Sequence, residues 1–197
     1  MNMMFQVAEI DEKIFARING KSYKKGCPLS LNELRYLRVA YRTFGGKTAE
    51  GELICNVAIA PSLIDIFREL YAEAYPIEKI RLIDDYDADD ELSMSDNNSS
   101  CFNFRYVSHT NRISLHGYGL AVDINPLFNP YIKTVDGKKI IAPANAAEFE
   151  DRTKPFPHKI TEDDICVKLF AAQGFLWGGN CWDDEKDYQH FFIERER

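Results

Sequence analysis

Basic residues are in short supply in this chain. Against 31 Asp and Glu stand 24 Lys and Arg, a formal net charge of −7. A nucleic-acid partner requires clustered Lys and Arg to meet the phosphates, so this balance argues against one. Long apolar runs are missing as well, and none approaches the roughly 18 residues of a membrane-spanning helix. The opening MNMMFQVAEIDEK turns acidic too soon for a secretory signal. The expectation is a protein that stays inside the cell, or one whose export signal has been removed. The five cysteines (Cys27, Cys55, Cys101, Cys166, Cys181) are odd in number and irregular in spacing, with no C-x-x-C pair. That argues against a zinc ribbon or a thioredoxin-like site and leaves free thiols packed as small apolar residues, with one disulfide as the alternative. No repeat, low-complexity tract or Pro/Gly/Ser linker divides the chain. A G-x-S-x-G elbow is lacking, which leaves a serine hydrolase without support. GYGLAV lacks the third glycine of a dinucleotide loop. A cysteine peptidase would need a thiol beside a histidine, and Cys181 is the one candidate.

What is present suits a single domain of 197 residues. Ser30 and Glu33 fit a capping box opening a helix through Leu34, Leu37 and Tyr41. Gly45-Gly46 reads as a turn, and 51–56 as a strand. Leu63, Ile66, Phe67, Leu70 and Tyr71 form a helical stripe stopped by Pro76. Short strands are expected at 80–83 and 102–107, with a non-periodic polar stretch between. The stretch 125–157 reads as loop. Thr161 and Asp164 open a helix closed by Gly174, and two strands end the chain, around 175–177 and 188–193. Helices and strands mix without βαβ alternation. This predicts an α+β single domain with a central, mostly antiparallel sheet flanked by helices, residues 1–50 forming a helical extension packed on a core of 51–197.

The chemistry concentrates in ISLHGYGLAVDINP. His116 and Asp123 are separated by two glycines, and Asp123 sits inside an apolar strand where a charge needs compensation. Near the C-terminus, KDYQHFF places Asp187 three residues before His190. Two histidines and a carboxylate form a zinc ligand set with a fourth position left for water, the residual charge acidifying that water. Read from spacing alone, a structural histidine and a capped aspartate explain the same residues. His109 and His158 stand outside both motifs. The acidic run DDYDADDELSMSD partly matches a calcium loop through Asp85, Asp87, Asp89 and Asp96, but Asp90 stands where glycine is required. A solvated loop near a cleft, or one admitting amino-bearing peptides, are the other readings.

SLHGYGLAVDINP resembles the S-x-H-x-x-G-x-A-x-D signature of the zinc D-alanyl-D-alanine carboxypeptidase family, and WGGNCWDDEKDYQHFF resembles its closing W-G-G…D-x-x-H-F motif. DNNSSCFNFR and NPLFNPYI resemble flanking segments of the endolysin-like L-alanyl-D-glutamate peptidase branch. The likeness spans roughly Gly51 to Phe192. It implies Zn2+ held by His116, Asp123 and His190, with Asp187 as general base where most relatives outside that branch carry glutamate. Arg105 matches the family arginine that steadies the oxyanion, and Ser114 a serine in substrate contact or supporting the ligand. Trp177 is expected either along a peptide groove or in the core. Cys181 precedes Trp182 where the family pattern has tryptophan at once, so the loop differs in shape. Asp187 and His190 would face opposite sides of a regular strand, and a bend or bulge is needed to aim both at one ion. The implied activity is hydrolysis of a peptidoglycan stem peptide or fragment, of D-Ala-D-Ala or L-Ala-D-Glu type. The alternative is a non-catalytic zinc-containing module binding cell-wall peptides on the same fold, which the hedgehog signalling domain shares.

Overall fold

A computed structural model describes residues 5–108, 110–182 and 184–195. His109 therefore lies outside the described residues. The chain opens with β1 (Gln6–Ala8) and α1 (Glu12–Ile18), then β2 (Leu34–Arg42) and β3 (Thr48–Asn56), a hairpin paired over nine residues. Helix α2 (Ala60–Ala72) follows, then β4 (Lys79–Ile80), α3 (Asp90–Ser95) and β5 (Asn98–Ser99). The second half runs β6 (Ala121–Asp123), β7 (Tyr131–Val135), β8 (Lys138–Ala142), α4 (Ile165–Ala172), β9 (Leu176–Trp177), α5 (Gly178–Cys181), β10 (Glu185–Asp187) and β11 (His190–Phe192). The strands fall into four small sheets, ordered β1-β2-β3, β10-β7-β8, β6-β11-β9 and β4-β5. Every strand pair is antiparallel except β4–β5. The α+β expectation holds. No helix among the described residues is long and apolar enough to cross a membrane.

The helix expected from Ser30 through Tyr41 is instead β2. Ser30 and Glu33 do bond as anticipated, with Ser30 N and Oγ both donating to Glu33 Oε2 at 2.9 Å. They open only one 3-10 turn, Leu31–Glu33. Leu34 then packs with Ile14, Ile18 and Phe102 on one face of the hairpin. Leu37, Val39 and Tyr41 pack with Leu63, Phe67 and Leu70 of α2 on the other. A strand buried on both faces places apolar residues at spacings that imitate a helix, and the long-range ladder to β3 decides the matter. Because β3 begins at Thr48, the hairpin continues through the expected boundary at residue 50, and the N-terminal segment is mostly not helical.

Other expectations fare better. α2 ends before Pro76, and α4 is capped by Asp164, whose side chain accepts from Cys166 N at 2.7 Å. Gly174 follows α4 with φ +84°, as a helix-ending glycine should. The stretch 125–157 holds a hairpin as well as loops. Asp136-Gly137, both with positive φ, turns β7 into β8, and the Asp-Gly pair was its signal in the sequence. All five cysteines are free.

The acidic run is folded. Ile83–Tyr86 is a 3-10 turn, and Asp89 caps α3 by accepting from Leu92 N at 3.0 Å. Asp85 meets Arg17 at 3.4 Å, Asp87 meets Lys21 at 2.7 Å and Asp96 meets Lys79 at 2.5 Å. The carboxylates of the imagined calcium loop are thus spread among separate protein partners, which does not favour the calcium reading, while Asp85, Asp87, Asp89, Glu91 and Asp96 remain exposed to solvent.

Candidate metal centre

His116 belongs to a 3-10 turn, Leu115–Tyr118, capped by Ser114, whose Oγ accepts from His116 N at 3.3 Å. The turn ends at Gly119 with φ +63°, a left-handed conformation that glycine adopts without strain. A Cβ there would also lie 2.6 Å from Asn56 N. From this corner the chain enters β6, which pairs with β11 so that Asp123 stands directly opposite His190. The charged residue inside the apolar strand is explained by that register. Asp123 is 8% exposed, and its carboxylate is directed at two imidazoles.

The three donors converge tightly. His190 Nδ1 is 2.9 Å from Asp123 Oδ1, His116 Nε2 is 3.1 Å from Asp123 Oδ2, and the two ring nitrogens are 3.2 Å apart. The two imidazoles meet different oxygens of the Asp123 carboxylate; with one donor atom from each residue the three lie within 4.8 Å of one another, against roughly 3.3 Å between ligands on a tetrahedral ion. His116 Nδ1 lies 2.6 Å from the Cys101 carbonyl, to which it donates, leaving Nε2 as the ligating atom. His116, Asp123 and His190 are the one group of this kind among the described residues, and they can hold a metal ion. Burial pushes the His116 imidazole down, but the Asp123 carboxylate outweighs it and the net shift is upward. Burial pushes Asp123 up, and His116 and His190 together reverse this, holding it well below the usual carboxylate range.

Asp187 ends β10, and His190 begins β11. The required bend lies at Tyr188-Gln189, where the chain passes from one small sheet to another. Trp177 Nε1 donates to the Tyr188 carbonyl at 2.9 Å and braces this turn. Trp177 is thus a core residue, 7% exposed, rather than the wall of a groove. Trp182, stacked on Phe192 with ring centroids 5.4 Å apart, is the tryptophan beside His190. Asp187 as a whole is half-buried, but its Oδ1 is enclosed and has no hydrogen-bond partner among the described residues. Burial pushes this carboxyl up to about 6, with Asp123 adding to the effect and His190 and His116 opposing it. A bound cation would draw it down again. An orphaned carboxylate oxygen beside a cluster of metal donors is a group poised for a proton or a water.

Gly178 and Gly179 are close-approach positions. A Cβ on Gly178 would lie 2.5 Å from the Asp187 carbonyl oxygen, and one on Gly179 would lie 2.4 Å from the Trp177 ring. The W-G-G motif is what lets α5 sit against the strand carrying Asp187.

Arg105 is half-buried and ion-paired through Nε to Asp90, a partner the sequence did not announce. Its positive charge opposes protonation of His116, which places it in the electrostatic neighbourhood of the donors. His158 stacks on Phe44 at 3.5 Å in a separate aromatic cluster. Burial pushes the Cys181 thiol up, away from the thiolate a cysteine nucleophile needs.

Residues 108–193 match the family model for D-alanyl-D-alanine carboxypeptidase. Over this stretch, less than half of the chain, the sequence is similar to that peptidase family. It contains Ser114, His116, Asp123, Trp177, Asp187 and His190, while Arg105 falls just before it. The likeness read from the two motifs is thereby borne out. Neither the curated proteins nor the solved structures include a match to this chain.

Proposed function

We propose that the protein is a zinc-dependent peptidase hydrolysing peptidoglycan stem peptides or their fragments, at a D-Ala-D-Ala or an L-Ala-D-Glu bond. The observation that carries this reading is the donor triangle of His116, Asp123 and His190 beside the partnerless Oδ1 of Asp187. Two neutral imidazoles and one carboxylate are a donor set of catalytic rather than structural character, leaving about one positive charge on a divalent ion. Zinc held there supplies Lewis acidity, polarising a carbonyl and acidifying water.

The protein's own groups carry the remaining steps. Asp187 accepts the proton of the attacking water at its free carboxylate oxygen and hands it to the departing amine. Arg105, always charged, donates from its guanidinium to the oxygen that becomes negative as the carbonyl carbon turns tetrahedral. Ser114 acts from behind, capping the turn that aims His116. Enclosure of the donors keeps bulk water out of the pocket, which strengthens each of these interactions.

Asp187→Ala is the decisive variant. It should bind zinc with near-wild-type stoichiometry and lose turnover of synthetic stem peptides followed by mass spectrometry, by a factor of about 100 or more. Wild-type protein treated with a chelator should be equally inert and should recover with added Zn2+. Cleavage by Asp187→Ala at the wild-type rate refutes its role. Peptide binding without cleavage by the zinc-loaded wild type would favour a binding module instead.

A further inference from the structure

The acidic run from Asp84 to Asp96 is tethered to other elements at both ends and in its middle. Asp84 is 3% exposed and accepts from Ser22 N at 3.0 Å and Ser22 Oγ at 2.9 Å. Lys21 Nζ donates to the Asp84 carbonyl at 2.9 Å. At the other end Asp96 takes Lys79 at 2.5 Å and the Tyr86 hydroxyl at 2.6 Å. Glu91 accepts from Ala144 N at 2.7 Å, tying α3 to the segment after β8. One carboxylate of the run points the other way, toward the metal centre. Asp90 Oδ1 accepts from Asn103 Nδ2 at 2.8 Å, and its Oδ2 pairs with Arg105 Nε. Asn103 is 2% exposed, and its backbone N–H donates to the carbonyl of His116 at 3.1 Å. The Arg105 carbonyl in turn accepts from Ser114 N at 3.0 Å.

A short chain of contacts therefore links the ligand His116 to Asn103, Asp90 and Arg105. The pairing with Asp90 is a charge contact at Nε, one edge of the guanidinium; Nε–H is enclosed and makes no hydrogen bond among the described residues. Among the described residues no protein group bonds its two terminal nitrogens. A carboxylate packed against Nε restricts rotation about the long stem by charge and contact, while the outer edge stays available to an incoming oxygen. With side chains 32% and 27% exposed, the pair is partly screened by solvent and contributes modestly to stability, so its worth lies in orientation.

We infer that Asp90 is a positioning residue for Arg105, and that the tethered acidic segment is the frame that holds it. This rests on the reading of Arg105 as the oxyanion donor. The test uses the full, zinc-loaded chain and two synthetic probes, a stem pentapeptide ending in D-Ala-D-Ala and a peptide containing the L-Ala-D-Glu bond. Asp90→Asn keeps the shape and the bond from Asn103 but removes the charge. It should lower kcat about 10- to 100-fold, somewhat less than loss of an oxyanion donor outright, with KM changed less than about twofold. Asp90→Glu should restore part of the loss. Arg105→Lys combined with Asp90→Asn should be no slower than Arg105→Lys alone, because one variant already removes what the other supports.

A second readout does not depend on turnover. The Nε–H resonance of Arg105, assigned by its disappearance in Arg105→Lys, should shift in Asp90→Asn because the adjoining negative charge is removed. An unchanged resonance, an unchanged kcat, or additive losses in the double variant would each overturn the inference. If the wild type cleaves neither peptide, the proposed function fails, while the Nε–H measurement still decides whether Asp90 holds Arg105.

Discussion

Gly178→Ala is the smallest perturbation that tests how the candidate base is placed. The added methyl would lie 2.5 Å from the Asp187 carbonyl oxygen, 2.9 Å from Asp187 Cβ and 2.9 Å from Cζ3 of Trp182. Ordinary van der Waals contact begins at 3.4 Å. Relief at the closest atom thus requires about 3.4 − 2.5 = 0.9 Å of movement, borne by the backbone of β10 because a carbonyl oxygen cannot rotate aside. Overpacking of this kind destabilises by about 1–3 kcal/mol, a fall in Tm of several degrees for a chain of this length. Its effect on chemistry should be larger. A misplacement of about 1 Å at a reacting group lowers the rate about 100-fold. The donors stand on β6, β11 and the turn before β6, so zinc content should be preserved. Elemental analysis, thermal denaturation and kcat on a stem peptide read the three effects separately. A variant with wild-type kcat would mean that Asp187 does not act at the reacting water, or that its strand shifts freely. Loss of zinc together with loss of rate would mean that Gly178 supports the donors rather than the base.

Metal uptake should compete with protons. With His116 shifted upward, its imidazole must lose a proton before Nε2 can ligate, so zinc affinity should rise with pH through that raised pKa and uptake near neutrality should release a proton, measurable by calorimetry in buffers of different ionisation enthalpy. For metal-free protein the signs run in two directions. The depressed Asp123 contributes stability above the ordinary carboxylate range of about 4, lost as pH falls, while His116 contributes below about 6.5, lost as pH rises through its folded pKa. The metal-free Tm should therefore peak in mild acid and the gain from added zinc should grow toward alkaline pH, a flat gain from pH 5 to 8 contradicting this. Phe170, fully buried and stacked on Phe191 at 4.2 Å between ring centroids, joins α4 to the strand that begins with His190. Phe170→Ala should destabilise by about 3–5 kcal/mol in urea titration, and a loss under 1 would show that this core collapses around the gap.

The sequence by itself determined the features whose physics is local. The cap of Asp164, the stop at Gly174 and the stripe of α2 are set by residues within a few positions of one another, and they stand as read. The donor residues were legible because a charge within an apolar strand and a His-Gly corner are unusual unless something compensates them. The tertiary structure alone decided the rest, because the deciding partners are distant in the chain. β2 is a strand because nine residues of β3 claim its backbone hydrogen bonds, and burial on both faces had disguised its period. Asp123 meets His190 only through the register of β6 on β11, 67 residues apart, which no local pattern encodes. Trp177 turned inward to brace the Tyr188 turn. The acidic run is solvent-facing as read, but its cations, Arg17, Lys21, Lys79 and Arg105, arrive from other elements and were not legible in the sequence. Spacing names the groups able to bind an ion, and only packing brings them within about 3 Å of one another.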